Sequence, residues 1–486
     1  RYWRDWSSDV CSSDLFVCVS LATMSALLFI ASSTFAGNIV SDNSKWEKDY
    51  PEQYATWKET SKSDKITDML EEKPQLAILW AGYGFAKDYN APRGHFYALQ
   101  SNQNTLRTGA PVDSKTGPMP TACWTCKSPD VVRMIDEDGE NEYFTGKWAK
   151  YGEEISNSIG CADCHDSGTA ELSLTRDYAK RAFKEIGIDP DKADTQELGS
   201  MTCAQCHSEY YFKATDWTDS EGNKKTAMVV TFPWLNGVSA EQMEAYYDAR
   251  GFKDWTHKIS KAPMLKAQHP GYEIFTTGIH AKNGVSCADC HMPEGSHHVG
   301  SPMENMEKTC LQCHDTDAAV LKEVVKTKFE RKEELMEIAM NSIGKAHLEA
   351  GKAWEVGATE AEMAEILQDI RHAQWRWDYS IASHGSFFHA PEETLRLLGN
   401  ANNLAQEARL KLAKVLTKHS AGDFVAPDFS TKEKAQKLAG VPLEKLVEEK
   451  ETFRNGLLKE WEKAAIKAGK LDPEIKKGMS DNTSYN

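Results

Sequence analysis

Ten of the twelve cysteines in this 486-residue chain fall into five Cys-x-x-Cys pairs, and four of the pairs are followed at once by histidine. The four are Cys161 and Cys164 with His165, Cys203 and Cys206 with His207, Cys287 and Cys290 with His291, and Cys310 and Cys313 with His314. The first pair differs: Cys123-Trp124-Thr125-Cys126-Lys127 keeps both thiols and puts lysine where the histidine belongs. Cys-x-x-Cys-His is the attachment signature of a c-type haem, with two thiols bonded to the macrocycle and the adjacent imidazole on the iron. Zinc also binds paired cysteines, but a zinc ribbon does not require histidine directly after the second one. Five haems constrain a fold more than its own apolar residues do. A hydrophobic content of 40% and a mean hydropathy of −0.57 fit a core filled in part by cofactor.

Each haem iron has two axial positions, and a haem that only carries electrons needs a strong ligand at both, usually histidine or methionine. Fifteen histidines less the four in the motifs leave eleven, so histidine alone can close four haems. The haem at Cys123 and Cys126 would then have Lys127 on one side and an open position on the other. Lysine binds iron only as the free amine, so its ordinary pKa of about 10.4 must be pulled down by burial and by the metal. The alternative leaves Lys127 at the surface and another side chain on the iron. An open iron needs groups that hold and protonate a substrate. Arg107 lies in a Leu-Arg-Thr-Gly loop, Tyr210 and Tyr211 follow the third motif, and His269 sits between Gln268 and Pro270. Together they offer a cation, a phenol and an imidazole, a set that clamps a small anion and feeds it protons.

The formal net charge of −16 excludes general nucleic-acid binding, which needs a basic face. Residues 16–30 form an apolar run too short to span a bilayer comfortably, and small residues follow at 31–36, as in a secretory leader cut near Ala36. An uncleaved anchor is the alternative. Residues 1–15 lack the basic start of such a leader and carry a short Ser-Ser-Asp repeat, so they are set aside as a sequence artefact. Export, and with it a periplasmic address, fits covalently attached haem.

Residues 37–120 contain no Cys pair and read as a loose helix over 45–62 followed by ordered loops. The pairs then occupy 121–315 at irregular spacing, which rules out a fixed-period repeat. Short helices are expected at 172–186 and 240–249 and a strand at 227–232. Over 316–470 the apolar residues recur at helical spacing, and predict long helices at 316–350, 359–383 and 391–418, with a shorter pair over 431–468. Pro391 suits a first turn, and Glu392 and Glu393 suit its positive end. A polar, loose tail covers 471–486. The expectation is one mainly α unit over 37–470, a compact multihaem cytochrome c fold with little β structure and a haem-packed core. Its C-terminal helices would form a wall and a subunit interface.

These motifs resemble one family. The Lys-bearing pair followed by four Cys-x-x-Cys-His motifs is similar to the pentahaem cytochrome c nitrite reductases, which form ammonia. The likeness runs from about Tyr83 to Leu416. It includes Gly94-His95-Phe96-Tyr97, Thr105-Leu106-Arg107-Thr108-Gly109, the run from Cys203 to Phe212, Lys266-Ala267-Gln268-His269-Pro270, Gly278-Ile279-His280-Ala281-Lys282 and the run from Ser383 to Glu393. The resemblance implies five covalently bound haems c, with Lys127 the proximal ligand of the active-site haem and Arg107, Tyr210 and His269 lining its open face. It implies His95 as the distal ligand of the third haem, His389 of the fourth and His280 of the fifth. The family pattern lands on His297 for the second, with His298 adjacent. It further implies one calcium ion held by the Glu209 carboxylate, the Gln268 amide oxygen and the backbone carbonyls of Tyr210 and Lys266, hard donors that suit Ca²⁺.

The activity implied is six-electron reduction of nitrite to ammonium, with the four bis-histidine haems relaying electrons. The implied partners are a homodimeric copy and an electron donor, either a quinol-oxidising membrane-anchored multihaem cytochrome or a soluble pentahaem one. Two other readings stand beside it: an electron-transfer cytochrome with no substrate of its own, and a related reductase that prefers hydroxylamine or sulfite.

Overall fold

The computed structural model describes residues 39–477 and 482–485. The expected leader, its cleavage point, Cys11 and Cys18 lie outside the described residues. Within the loose helix expected over 45–62, α1 (Pro51–Glu59) forms, starting on a proline at its first position and burying Tyr54 and Trp57; where loops were expected further on, the chain folds into short helical turns and a helix at Ala98–Asn104. The Trp57 indole donates to the Ile159 carbonyl at 2.9 Å, tying this arm to the approach of the second Cys pair. The apolar stretch at Leu76 is a short helix, Gln75–Leu79, buried to the last residue of its apolar run.

The Cys-bearing region carries little regular structure. Helix α2 (Asp177–Glu185) begins later than the 172–186 expected, because Leu172 pairs with His165 in an isolated bridge and Arg176 is extended. Helix α3 (Thr195–Ala204) delivers Cys203 and is started by a capping box. Asp194 accepts from the Glu197 N–H at 2.9 Å, and Glu197 accepts from the Asp194 N–H at 3.0 Å. The strand expected at 227–232 is longer, β2 (Lys224–Thr231), and is paired antiparallel with β1 (Tyr211–Thr218), with Tyr211 opposite Thr231 and Thr218 opposite Lys224. The sequence reading missed β1, whose alternate residues face solvent and whose polar letters resemble a loop. Its base sits directly after Tyr210, so the hairpin anchors that residue. Helix α4 (Ala240–Asp248) and a two-residue ladder of β3 (Trp255–Thr256) with β4 (Pro263–Met264) follow.

Three long helices close the molecule: α5 (Ala318–Glu355), α6 (Glu360–Ala382) and α7 (Pro391–Lys418), within a few residues of the periodicity. Thr359 and Glu362 cap α6 reciprocally, and Pro391 opens α7 with Glu392 and Glu393 in its first turn. The seam is lined by Ala339, Ile343, Ala346 and Ala350 of α5 and Leu398, Ala401, Ala405, Ala408 and Leu412 of α7, all wholly buried. Alanine at helical spacing lets the two backbones approach closely. The shorter pair expected over 431–468 is three helices: Lys432–Leu438, then α8 (Leu443–Asn455) and α9 (Leu457–Lys467). Phe453 of α8 and Trp461 of α9 each stand 5.8 Å from Trp148, which in turn packs 4.7 Å from Trp124 of the first Cys pair. The tail is tied at two points, where sequence suggested a loose end. Ser484 donates to Asp88 at 2.9 Å, and the Tyr485 hydroxyl donates to the Asn104 carbonyl at 2.7 Å. Among the described residues no helix is long and apolar enough to cross a membrane.

Candidate active site

None of the ten cysteines of the five pairs is in a disulfide. Each pair occupies about one helical turn, the geometry that two closely spaced thioethers require. In the fifth motif the single turn Cys310–Gln312 ends just before Cys313, and the chain leads from there to the start of α5.

The pairs are not ordered in space as they are in sequence. Cys126 interacts with Cys206 and Cys203 with Cys287, which couples the first pair to the third and the third to the fourth. Cys164 also acts on Cys203, and both Cys310 and Cys313 act on Cys290. The third pair is therefore the junction, with the first, second and fourth around it and the fifth beyond the fourth.

The histidines fit a haem in each of the four ordinary motifs. In the second motif, His165 Nδ1 lies 2.8 Å from the Ala170 carbonyl, and in the fourth, His291 Nδ1 lies 2.9 Å from the Gly300 carbonyl. A carbonyl at Nδ1 fixes the N–H there and leaves Nε2 free for a metal. Three of the sequence-derived partners stand opposite a motif histidine. The ring centroids are 6.0 Å apart for His165 and His297, 6.3 Å for His291 and His389, and 6.2 Å for His280 and His314. Two metal–nitrogen bonds of about 2 Å each, with half an imidazole at either end, span that distance. His95 acts electrostatically on His207, as its expected place opposite the third motif requires. Of the adjacent candidates, His297 has Nδ1 2.9 Å from the Gly295 carbonyl and an open Nε2, whereas His298 Nε2 faces Glu304 at 3.7 Å.

Three residues distant in sequence, Arg107, Tyr210 and His269, come within electrostatic reach of the first motif. Burial pushes the Cys123 thiol up to about 12 while Lys127 and Arg107 pull it down. The Tyr210 phenol is raised well above its ordinary value by burial, then by Cys126 and Cys123. His269 is held well below its ordinary value by burial, then by His207, with Lys127 among the further causes. The His269 ring centroid lies 4.3 Å from that of His207, and its Nδ1 is buried without a partner. Lys127 acts on His95 and His207 as well, so the first and third motifs lie close together.

Arg107 is held by features that sequence reasoning missed. Its Nε donates to Thr105 Oγ1 at 3.2 Å, and the guanidinium lies over the Phe85 ring at 4.2 Å. Thr105 in turn donates to the buried Asp88 carboxylate at 2.7 Å, which also accepts the Leu106 N–H at 3.0 Å. Lys450 of α8 reaches in from the far side to donate to the Gln103 carbonyl at 2.9 Å and Thr108 Oγ1 at 3.1 Å. The threonine two residues before Arg107 was the available signal; Asp88 and Lys450 leave none in the local sequence.

Three of the four residues implied for calcium, Glu209, Lys266 and Gln268, meet. Glu209 is wholly buried and, among the described residues, has no ion-pair partner; its carboxylate accepts from Tyr247 at 3.1 Å and from the Gln268 N–H at 2.6 Å. The Gln268 Nε2 donates to the Lys266 carbonyl at 3.1 Å. Burial raises Glu209 well above the usual carboxylate range, and Glu273 and Asp254 add to it. A buried carboxylate among further acids and carbonyl oxygens fits a hard divalent cation. Among the described residues no three His, Cys, Asp or Glu side chains cluster as a metal site, so the donor set depends on amide and backbone oxygens.

Paired thiols, facing imidazoles and a helical shell with one hairpin define a multihaem cytochrome c. The model of the cytochrome c552 family matches residues 42–471, and the chain belongs to that family. The cytochrome c-552 of Desulfotalea psychrophila is 61% identical over 458 residues, covering 93% of this chain and 90% of that protein. That of Maridesulfovibrio salexigens is 62% identical over 448 residues, 90% of this chain and 89% of that protein. Among solved structures, the cytochrome c nitrite reductase of Desulfovibrio desulfuricans matches with a TM-score of 0.72 and 31% identity, over 82% of this chain and 90% of that one. Two calcium sites are described in its catalytic subunit.

Proposed function

We propose that this chain reduces nitrite to ammonium, a six-electron change, at a haem attached to Cys123 and Cys126. The observation that carries this reading is that Arg107, Tyr210 and His269, far apart in sequence, each come within electrostatic reach of this pair or its lysine: Arg107 acts on Cys123, both cysteines act on Tyr210, and Lys127 acts on His269. The bound iron supplies the redox chemistry; the protein orients and polarises the substrate. Lys127, standing where the other motifs have histidine, would hold the iron. The Arg107 guanidinium would bind the anion's oxygens, its position set by Thr105 and Phe85. His269 hydrogen-bonds a second oxygen, which favours N–O cleavage, and passes protons to it. Tyr210 keeps its phenolic proton near neutral pH and serves as a second donor. Glu209 and Gln268 are chain neighbours of Tyr210 and His269, so holding calcium would fix both catalytic side chains.

The four remaining haems are proposed on His165 with His297, His207 with His95, His291 with His389 and His314 with His280, relaying electrons to the first. Val320, Val324 and Phe329, exposed on the first half of α5, support a homodimer through the long helices. The electron donor is proposed as a multihaem cytochrome, membrane-anchored or soluble, and the location as periplasmic.

Lys127→Leu and His269→Ala are expected to lower nitrite turnover at least a hundredfold while mass spectrometry still finds five haems. Full activity in both variants rejects the assignment.

A further inference from the structure

The residue just before the second cysteine is Thr125 in the first pair, Asp163 in the second and Gln205 in the third. All three bond to one short segment, Thr175 to Tyr178. Arg176 Nε and Nη2 each donate to the Thr125 carbonyl at 3.2 Å, and Nη2 also donates to the Ser128 carbonyl at 3.1 Å and to the Asp163 carboxylate. Its Nη1 donates to Thr175 Oγ1 at 2.7 Å. The Thr175 hydroxyl donates to the Asp163 carbonyl at 2.8 Å, and the Thr175 N–H donates to Gln205 Oε1 at 3.1 Å. Gln205 Nε2 donates to the same Asp163 carbonyl at 2.6 Å, and the Tyr178 hydroxyl donates to the Gln205 carbonyl at 2.7 Å. The corresponding residues of the fourth and fifth pairs bond elsewhere. Asp289 accepts from Ser286 and Gln196, and Gln312 donates to Glu307.

Arg176 is 1% exposed and Asp163 3%. A buried ion pair is costly unless its geometry is good and its remaining hydrogen bonds are made; here each nitrogen of the guanidinium has an acceptor. Arginine keeps its charge at any working pH, and its fork reaches several acceptors at once. The two charges are not placed symmetrically. Asp163 lies inside the second pair, between Cys161 and Cys164. The guanidinium is held by carbonyls on either side of Cys126 and Lys127, in the first.

We propose that the buried Arg176–Asp163 pair biases the reduction potentials of the first two haems, raising that of the Lys127 haem and lowering that of the His165 haem. A nearby positive charge stabilises the reduced, less positive iron, and a nearby negative charge does the opposite. The pair therefore makes electron transfer from the second site towards the first more favourable. Arg176 is a positioning residue in this role, and the inference rests on reading the Cys pairs as haem sites.

A redox titration of the purified five-haem protein, followed by electron paramagnetic resonance, tests it. Arg176→Gln is expected to lower the midpoint of the high-spin haem by at least tenfold in the oxidised-to-reduced ratio, 59 mV for one electron. Arg176→Lys, which keeps the charge, should move it less than half as far. Asp163→Asn should raise the midpoint of one low-spin haem by a similar factor, and it keeps the test alive if Arg176→Gln does not assemble. A high-spin midpoint unmoved in Arg176→Gln, equal shifts in the Gln and Lys variants, or no low-spin change in Asp163→Asn overturns the proposal. A wild-type protein with no high-spin haem overturns instead the function proposed above.

Discussion

His297 and His298 are neighbours in sequence and opposites in surroundings. The His297 N–H donates to Thr56 Oγ1 at 2.9 Å, which fixes its backbone against α1, and its ring stands across from His165. His298 faces a carboxylate. His297→Ala is therefore expected to convert one low-spin haem to high-spin, and His298→Ala to leave all spin states unchanged; the ferric absorption spectrum distinguishes them. Asp88 offers a second test. One carboxylate holds Thr105 and the Leu106 N–H, and Thr105 holds Arg107. Hydrogen bonds to a charged group contribute about 1.5–3 kcal/mol. Asp88→Asn should therefore raise the KM for nitrite roughly tenfold or more, with a smaller change in kcat, in steady-state assays. A change in kcat alone would count against an Arg107 role in binding.

The long helices were legible because helical periodicity is a local signal: Met336, Ala339 and Ile343 announce the seam of α5 without knowledge of its partner. The Cys pairs were legible because covalent chemistry demands fixed spacing, but spacing says nothing of which pairs lie next to one another. Strand β1 was not legible either, since its pairing with β2 is what makes it a strand. Nor was the anchor between α5 and the β3–β4 ladder, where His347 of α5 stacks on His257 at 3.7 Å. His347 Nδ1 lies 2.8 Å from Ser260 Oγ and Nε2 2.8 Å from Gln374 Oε1. The His257 Nε2 lies 2.8 Å from the Ile78 carbonyl. Burial lowers His347 to about 4, and burial with His347 lowers His257 well below its ordinary value. An unfolded histidine titrates near 6.5. Between that value and about 4 the unfolded chain binds a proton that native His347 refuses, so stability is full above pH 6.5 and falls as pH drops towards 4. Thermal midpoints should fall across that window, and His347→Gln should reduce the slope by up to one proton. An unchanged slope in the variant would show that carboxylates alone cause the acid sensitivity.

At the scale of the whole molecule, the net charge of −16 continues into the interior. Glu209, Glu273 and Asp378 are buried, and Asp254 half-buried, around the candidate calcium donors. Lys266 bonds Asp378 at 2.8 Å, and burial lifts Asp254 and Glu273 to about 7 each. Neither composition nor spacing could place these acids together, because they come from segments joined only by the fold. A divalent cation that binds only the native state stabilises it by about 4 kcal/mol at a thousandfold excess over its Kd. Calorimetry is expected to show a thermal midpoint that rises with calcium and falls with chelator, with the five haems still attached. In Glu209→Gln the midpoint should no longer respond to calcium, and a retained response would move the ion elsewhere.

The facing histidines carry a consequence for biogenesis. On the proposed ligand set, His297 faces His165 from before the long helices, and His389 faces His291 from just ahead of α7. A nascent chain that received its haems in order would hold the fourth iron with one ligand until the segment between α6 and α7 is in place. That segment would act as a seal on the fourth cofactor, and a chain cut before His389 would remain chemically reactive at a site proposed only to conduct.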